Sequence, residues 1–423
     1  MNVIEEKIIL GENCEYETDI TKTGVNNNVL VCGSSGCGKT VSIIEPRLLN
    51  TTQSSLIVTV TKRRIVDKYK RILKRRGFKV LDLNFVEPHK SNIGFNPLAY
   101  IETAKDIKFL AEALVMANPK KERTSADPYW DSAAISLLRT EISAVMLEED
   151  APSFNDVLNL HNSMILDNGF SGESTCMEIF RVMAEQYPDT FPVSCWKSFK
   201  DLPEKTASCV HSTLNSALDS IFTTELREIM NKKNTIDFRE LANEKTVLFI
   251  TTSPVNNSLN YFINVFYSYL FKQLFEYAER QKNGVLPRPV QILYDDFATG
   301  GGKIMNFGEL ISILREKAIS VTLLLQSESQ LESMYGHSDA ITIINNCDSY
   351  VYMGGNDIKT ASNVSMRLNV PLDEVLYMPI GKIAVFRRGQ RPIVTERYDI
   401  TKEDKCVDVS KHFEKEVSKY NNR

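Results

Sequence analysis

The stretch VLVCGSSGCGKT (residues 29–40) decides the fold of this chain of 423 residues. Three β-forming residues lead into a glycine-rich turn, whose glycines and final Lys-Thr pair fit the spacing G-x-x-x-x-G-K-[ST]. Glycines let the backbone curl until successive N–H groups point at one anion, and the N-terminus of a following helix adds positive charge. The stretch predicts a phosphate-binding loop, hereafter the phosphate loop, built from Gly33, Ser34, Ser35, Gly36, Cys37, Gly38, Lys39 and Thr40.

The side chains that close this loop indicate which phosphate it binds. Lys39 can reach the β- and γ-phosphates of a nucleotide, and the Thr40 hydroxyl can ligate Mg²⁺. We therefore expect ATP and Mg²⁺ as the ligands. The flanking residues agree with this assignment, because 29–31 form an apolar run typical of a buried strand and 40–49 are largely apolar and compatible with a helix.

A second strand supplies the acids that such a site requires. In PVQILYDDF (289–297) a mostly apolar run ends in Asp295 and Asp296. A P-loop ATPase needs one carboxylate at the end of a buried strand to hold Mg²⁺ and another to orient the attacking water. We assign Asp295 to the metal, through water, and Asp296 to polarising the water molecule that attacks.

Two further residues are candidates for contacts with the γ-phosphate. Gln326 ends the stretch AISVTLLLQS (318–327), and ligands of open α/β sheets bind at the carboxyl ends of strands. The alternative for Gln326 is a buried or capping amide. Arg315 ends the preceding helix and could stabilise transition-state charge on ATP held by a neighbouring subunit. The alternative for Arg315 is an arginine placed there only because the helix dipole favours it.

The bulk composition is typical of a globular protein, with 43% hydrophobic and 25% charged residues. No run of about 18 apolar residues lacks a charge, so no membrane span is predicted. The first residues, MNVIEEKIIL, lack the basic-then-apolar layout of a signal peptide. Eight cysteines at scattered spacings suit a reducing compartment. We therefore expect a cytoplasmic protein.

Basic residues are concentrated in KRRIVDKYKRILKRRGFK (62–79), which holds ten basic side chains and one acid, Asp67. Such a run could line a track for a nucleic-acid backbone. The alternative is a solvated helix face whose charges balance acidic neighbours. The sequence leaves both interpretations open.

The order of strands and helices indicates an α/β fold with a parallel sheet. Strands are predicted over 29–31, 54–61, 78–85, 245–251, 290–294, 319–325, 349–353 and 382–387. Helices are predicted over 104–118, 127–149, 154–165, 174–186, 206–221, 259–280, 307–316 and 358–368.

Because the stretch between 103 and 240 contains no convincing strand, we interpret it as an all-α insertion. The predicted organisation is a nucleotide-binding domain in two parts, 1–102 with the phosphate loop and 241–401 with the acids. The insertion, 103–240, separates these parts, and a polar tail, 402–423, follows them.

Several motifs together resemble one family. They are NNNVLVCGSSGCGKT, FNPLAYI (95–101), DPYWDSA (127–133), ILYDDFATGG (292–301), LLQSESQLESMYG (324–336) and NNCDSYVYMGGND (345–357). In this order, from about residue 25 to about 390, the chain is similar to TraG-like type IV coupling proteins, the ATPases of conjugative DNA transfer. The resemblance implies a RecA-like domain with an attached all-helical domain, assembled as a ring, usually a hexamer. It also implies recruitment of a relaxase–DNA complex and transport of single-stranded DNA towards a secretion channel at the membrane.

The resemblance assigns the same roles as the residues themselves. It makes Gly33, Gly38, Lys39 and Thr40 the phosphate and Mg²⁺ ligands and Asp295 the metal carboxylate. It makes Arg315 the finger that acts on a neighbouring subunit and Gln326 the sensor of the γ-phosphate.

The chain departs from the family pattern in three places. Relatives have a glutamate where this chain has Asp296, and the shorter carboxylate puts fast turnover in doubt. Relatives have an acidic-Pro-Lys run where VTVTKRR (58–64) keeps only Lys62. Most relatives begin with membrane-spanning helices, so we expect a membrane-free variant, a protein that docks on a separate membrane or secretion-channel partner at the inner face of the membrane, or a truncated form.

Three functions fit these observations. The first is a cytoplasmic motor ATPase that couples hydrolysis to translocation of single-stranded DNA with its relaxase. The second is an adaptor that binds ATP, hydrolyses it weakly and presents a docking surface for the relaxase. The third is a double-stranded DNA translocase of the FtsK type, which shares the fold and the ring.

Overall fold

The computed structural model describes residues 6–117, 128–164, 175–253, 257–298 and 303–402. Its strands are β1 Lys7–Gly11, β2 Cys14–Glu17, β3 Val29–Cys32, β4 Ser55–Val60, β5 Lys79–Asn84, β6 Thr246–Thr251, β7 Val290–Tyr294, β8 Ile319–Leu325, β9 Ser349–Tyr352, β10 Lys382–Arg387 and β11 Ile393–Glu396. All eight strands predicted from the sequence are present. The strands β1, β2 and β11 were not predicted.

The described α-helices fall into three groups along the chain. Before β6 lie α1 Ile20–Thr23, α2 Glu45–Asn50, α3 Arg64–Arg75, α4 Ala104–Ala117, α5 Pro128–Glu148, α6 Phe154–Asn162, α7 Thr175–Gln186, α8 Phe191–Lys200, α9 Glu204–Asp219, α10 Thr224–Met230 and α11 Phe238–Asn243. Between β6 and β9 lie α12 Asn257–Glu279, α13 Phe307–Ile313, α14 Glu328–Tyr335 and α15 His337–Asn345. After β9 come α16 Ile358–Leu368 and α17 Leu372–Leu376.

Each predicted helix corresponds to a helix of the structure, with ends that differ by a few residues. The positions 118, 127, 165 and 174 of the predicted helices lie outside the described residues, as does the predicted tail beyond 402. No helix in the described ranges is both long and apolar enough to cross a membrane. The predicted division into domains stays a prediction.

Nine strands form one sheet in the order β11-β10-β9-β3-β8-β7-β4-β6-β5. The seven strands from β9 to β5 pair in parallel, while β10 and β11 add an antiparallel hairpin beyond β9. The carboxyl ends of the parallel strands therefore share one edge of the sheet, the carboxyl edge, and their beginnings share the opposite amino edge. This sheet confirms the predicted α/β class.

The phosphate-loop strand β3 is buried on both faces, which is why its sequence is uniformly apolar. Leu30 and Cys32 join an apolar core that includes α12 and the helices between β5 and β6. Val29 and Val31 join a second core on the other face, which includes residues of α2, α3 and β1. Because β3 also pairs with β8 on one side and β9 on the other, the phosphate loop is carried by an interior strand of the sheet.

The helices α4–α11, hereafter the helical region, leave the sheet after β5 and return to it at β6. A bridge between Gly94 and Thr235 joins the two ends of this excursion. Gly94 N donates to Asn234 O at 2.7 Å, and Ile236 N donates to Gly94 O at 3.0 Å. A Cβ atom on Gly94 would lie 2.6 Å from the carbonyl oxygen of Ile229, so the close approach requires glycine.

Phe95, directly after this bridge, packs edge-on against several rings. Its centroid lies 5.0 Å from that of Phe266 and 5.5 Å from that of Phe262, both on α12, and 6.3 Å from that of Phe238 on α11. Offset and edge-to-face ring pairs stabilise such contacts beyond the burial of their area. The FNPLAYI motif thus fastens the helical region to the helix that covers the sheet.

A buried ion pair adds to this attachment. Asp106 on α4 accepts a hydrogen bond of 2.6 Å from Lys272 Nζ on α12, and its other oxygen accepts from Thr103 N and Oγ1. Burial works to raise the pKa of Asp106, but these hydrogen bonds outweigh it and lower the pKa below its usual value. The ionised carboxylate therefore stabilises the fold.

We predict that Asp106→Asn lowers the free energy of unfolding by about 1–3 kcal/mol at neutral pH, because Lys272 loses its buried partner. Since the pKa of Asp106 is lowered by folding, its contribution is present above the unfolded-state pKa and disappears as pH falls through the folded-state pKa. Urea unfolding at several pH values measures the free energy of unfolding of variant and parent. The difference between the two free energies should become smaller in acid.

Asp67→Asn is the matched control, because Asp67 pairs with Lys70 on an exposed surface of α3. Exposed pairs contribute little to stability, so this variant should unfold with the parent. An Asp106→Asn protein as stable as the parent at pH 7 would contradict the role of the pair.

Candidate nucleotide-binding site

The phosphate loop follows β3 at the carboxyl edge of the sheet. Lys39 is buried and its Nζ donates to the carbonyl oxygens of Gly33, at 2.5 Å, and Ser34, at 3.0 Å. The lysine ammonium therefore lies inside the curl of the loop. This is the position from which a lysine meets the phosphates of a bound nucleotide.

The helix after the loop begins with a π turn, Thr40–Ile44, in which Glu45 N donates to Thr40 O. Pro46 follows in the first turn of α2 and has no N–H for a helical hydrogen bond. The sequence indicated a helix over 40–49 that Pro46 would kink without removing its first turn. The missing donor at Pro46 gives a physical reason for the irregular turn, and π turns often occur at functional sites.

Two glycines of the loop are needed for its shape. A Cβ atom on Gly33 would lie 2.7 Å from Cys37 Sγ and 2.9 Å from Met353 Cβ. Gly38 has a φ of +93°, which residues with a side chain rarely adopt. The packing around Gly33 and the backbone of Gly38 thus explain the motif spacing in this chain.

A second loop, after β9, supports the phosphate loop from the side. Gly354 O accepts from Ser34 N at 2.8 Å, and Met353 N donates to Cys32 O at 2.8 Å. Sequence analysis assigned no role to Gly354. The signal was present in the Gly-Gly pair that directly follows the apolar strand in YVYMGGND (350–357).

Asp295 meets the phosphate loop through a side-chain hydrogen bond. Thr40 Oγ1 donates to Asp295 Oδ2 at 2.8 Å, although 255 residues separate the two. The backbone N–H of Asp295 donates to Thr59 O, at the end of the neighbouring strand β4, at 3.2 Å. The structure therefore brings together the two residues that the sequence assigned to the metal.

The electrostatics of Asp295 are those of a buried acid. It is 5% exposed, and this burial raises its pKa above the usual value. The Thr40 hydrogen bond acts against the rise, the charge of Asp296 adds to it, and the charges of Lys39 and Lys62 oppose it. A cation beside this carboxylate would relieve the cost of keeping it ionised.

Asp296 lies next in the chain and is partly exposed. Its φ of +52° is in the left-handed region, which residues other than glycine adopt uncommonly, although aspartate adopts it more often than most. Backbone strain of this kind is concentrated at functional sites. The role of Asp296 in orienting water stays a prediction.

The structure places Gln326 and Arg315 at opposite edges of the sheet. Gln326 is exposed directly after β8, and its neighbour Leu325 pairs with Cys32 at the start of the phosphate loop. Arg315 lies in the 3₁₀ turn Leu314–Lys317 before β8, at the amino edge. There it lines a cavity of about 540 Å³ together with Glu6, Gln291 and other residues. Within one chain, Arg315 is therefore outside the site.

The basic run 62–79 forms α3 and its flanks on one face of the sheet. Arg63 forms an ion pair with Asp82, Lys68 donates to Glu45, and Arg76 donates to three backbone carbonyls. Much of the run thus balances neighbouring groups within the fold. Arg64, Lys74 and Arg75 have exposed side chains, and contact of this face with DNA stays a prediction.

Arg397 is a site residue that sequence analysis missed. It follows β11, and its Nη1 donates to Cys37 O in the phosphate loop at 3.1 Å. No motif marks it, because it stands 360 residues from its partner. Only the pairing of β10 and β11 with the sheet reveals the contact.

The groups at this site fit a nucleotide with Mg²⁺. The curled loop needs glycine at Gly33, where Cys37 Sγ lies too close for a side chain, and at Gly38, where φ is +93°, and its lysine is already turned inward. A hydroxyl and a carboxylate stand side by side, and hard oxygen ligands are those that Mg²⁺ prefers. Thr40 and Asp295 would hold the metal.

A parallel sheet with a phosphate loop after one strand and a carboxylate at the end of another defines a RecA-like P-loop fold. The sequence matches the family described as "Type IV secretory system Conjugative DNA transfer" over residues 2–369, and the chain belongs to this family. The resemblance to type IV coupling proteins is thereby confirmed. A search of curated protein sequences gave no match.

Solved structures with the same fold include the bacterial conjugative coupling protein TrwB. TrwBdeltaN70 in complex with sulphate has a TM-score of 0.66 at 19% identity, covering 88% of this chain and 85% of TrwB. TrwB in complex with ADP and Mg²⁺ gives the same values, and TrwB with the ATP analogue ADPNP has a TM-score of 0.65 at 18% identity, with the same coverage of both chains. VirB4 of Thermoanaerobacter pseudethanolicus has a TM-score of 0.54 at 12% identity, covering 94% of this chain and 98% of VirB4.

We predict that Asp295→Asn stabilises the protein without nucleotide or Mg²⁺ at neutral pH. Asparagine keeps an acceptor for Thr40 Oγ1 and removes a buried charge. Because folding raises the pKa of Asp295, the ionised group costs stability at neutral pH, and this cost shrinks as pH falls through the raised pKa. In thermal unfolding at pH 7, Asp295→Asn should have a higher unfolding temperature than the parent. In mild acid this difference in unfolding temperature should be smaller.

Asp296→Asn serves as the control, because this neighbouring acid is partly exposed. It should change the unfolding temperature less than Asp295→Asn. A fall in unfolding temperature for Asp295→Asn at pH 7 would show that the carboxylate is stabilising, against this prediction.

Proposed function

We propose that this chain is an ATPase of a type IV secretion or conjugation system, which couples ATP hydrolysis to translocation of single-stranded DNA with its relaxase. The observation that carries the proposal is the 2.8 Å hydrogen bond between Thr40 and Asp295, which unites the phosphate loop with the metal carboxylate. Family membership supports the DNA-transfer role. TrwB, whose fold is the same, has been crystallised with ADPNP and with ADP and Mg²⁺.

Each residue of the site has a part in this reaction. The N–H groups of the phosphate loop and Lys39 bind the β- and γ-phosphates, and Thr40 and Asp295 hold Mg²⁺. The metal, when bound, neutralises charge on the phosphates. Asp296 orients the attacking water, and Gln326 contacts the γ-phosphate from the neighbouring strand.

Arg315 acts in trans in this proposal. It lies at the amino edge of the sheet, so it can reach a phosphate only in another copy of the chain. An arginine supplied in this way stabilises transition-state charge. A ring, with six copies as in the family, provides the arrangement, and a partner at the inner face of the membrane or in the secretion channel would hold the cytoplasmic ring in place.

We predict ATP hydrolysis by the purified chain that increases with single-stranded DNA and falls about a hundredfold or more in Lys39→Ala, because the phosphates lose their preorganised charge. Steady-state phosphate release, measured with light-scattering mass at each condition, tests activity and assembly together. Lys105→Ala, an exposed lysine on α4, is the control and should hydrolyse ATP like the parent.

The same experiment separates the alternatives. A rate of ATP hydrolysis that changes neither with DNA nor with the Lys39 substitution would overturn the proposal. Stronger stimulation and movement on double-stranded DNA than on single-stranded DNA would favour the translocase of the FtsK type. A mass near one chain with ATP and DNA present would contradict the role of Arg315 in trans.

The second candidate is an adaptor that binds ATP and hydrolyses it weakly. Asp296 favours it, because its carboxylate is one methylene shorter than the family glutamate and its backbone is held at a φ of +52°. We predict that Asp296→Glu raises the rate of phosphate release at saturating ATP by about tenfold or more, since the longer side chain positions water better. An unchanged rate would count against the short carboxylate as the cause of slow turnover.

A further inference from the structure

The β10–β11 hairpin returns the chain to the carboxyl edge of the sheet. β10 pairs antiparallel with β9, so Lys382 and its partner Glu396 lie at the edge where β9 ends. Arg397 comes next, and its N–H donates to Gly381 O at 2.7 Å. The backbone of Arg397 is therefore fixed beside the phosphate loop.

The side chain of Arg397 lies against the loop itself. Nη1 donates to Cys37 O at 3.1 Å. A Cβ atom on Gly38 would lie 2.6 Å from Nη1 and 3.4 Å from Cζ, so the guanidinium covers this glycine. Gly38 directly precedes Lys39 and Thr40, whose N–H groups and side chains are the phosphate and Mg²⁺ ligands of such loops.

The chemistry of this contact is that of a phosphate binder. A guanidinium carries five N–H donors in a planar fork that matches phosphate oxygens, and the Cys37 carbonyl accepts from one nitrogen. The side chain is exposed and so is open to an incoming ligand. Glu396, the acid directly before Arg397, forms an ion pair with Lys382, and Asp399, two residues after it, accepts hydrogen bonds from Thr401 N and Oγ1.

We propose that Arg397 is a nucleotide-binding residue, which donates to the phosphate chain of the nucleotide held by the phosphate loop. This inference rests on the proposed function, because it requires that the loop binds a nucleotide. Arg397 acts in cis, from the same chain, whereas Arg315 acts on a neighbouring copy. The C-terminal hairpin is then part of the nucleotide site.

A structural consequence follows for the hairpin. Arg397 is tied to Gly381 through its backbone and to Cys37 through its side chain. A phosphate that accepts from the guanidinium adds a further bond between the hairpin and the loop. Binding of the nucleotide therefore stabilises β10 and β11 against local opening.

Titration with fluorescent ATP and ADP analogues tests the inference in five proteins, namely the parent, Arg397→Ala, Arg397→Gln, Arg391→Gln and Lys39→Ala. Charge-assisted hydrogen bonds to phosphate are strong, so we expect both Arg397 variants to bind about 10- to 100-fold more weakly, with a smaller dependence on salt. Arg391, exposed in the turn between β10 and β11, is the matched control and should bind like the parent.

Arg397→Gln separates binding from support of the loop, because glutamine keeps an N–H donor for Cys37 O but carries no charge. Full affinity in Arg397→Gln, or affinity within twofold of the parent in Arg397→Ala, would overturn the inference. If Lys39→Ala loses binding in the same series, the proposed function still stands. An unsubstituted protein that binds neither analogue overturns both.

Hydrogen exchange gives a second readout, which is measured first on the unsubstituted protein and so does not depend on a variant folding correctly. Addition of ATP and Mg²⁺ should slow exchange of the amides in 382–396, and Arg397→Gln should abolish this protection. Unchanged exchange in the hairpin of the parent, at saturating nucleotide, would also contradict the inference.

Discussion

The hydrogen bond from Thr40 to Asp295 is the contact on which the rest of the site depends. It exists because β8 alone separates β3 from β7 in a parallel sheet, so that the ends of the two strands share one edge. Register matters as much as order, since a slip of one residue would turn Asp295 towards the other face. Alternate residues of β7 pack into the two cores, Ile292 and Tyr294 into one and Leu293 into the other, and this packing holds the register.

Much of this arrangement could be predicted from the sequence, because its signals are local. The phosphate loop is a spacing pattern, and each parallel strand is a short apolar run that is buried on both faces. The sequence assigned Asp295 and Thr40 to one metal ion, and the structure brings their side chains together because acids that follow such a run lie at the carboxyl edge. The sequence indicated a helix after the loop with a kink at Pro46, but not the π form of its first turn.

The residues that sequence analysis missed reach the loop through the sheet and not along the chain. Gly354 supports Ser34 because β9 pairs with β3, and Arg397 reaches Cys37 because the hairpin turns back beside β9. The Gly-Gly pair marks a turn after β9, but its contact with Ser34, like that of Arg397 with Cys37, follows only from the topology. The strand β11 also escaped prediction, because its side chains are largely exposed at the end of the sheet.

The bridge between Gly94 and Thr235 allows the helical region to vary in evolution more than the sheet can. The chain enters the helical region and leaves it at this bridge. The order of the strands therefore does not depend on how many helices lie between its two residues or how long they are. Helices there can lengthen, shorten or be exchanged among descendants while the sheet keeps its geometry. A glycine that has no space for even a methyl group thus holds together the two ends of a segment that is free to vary.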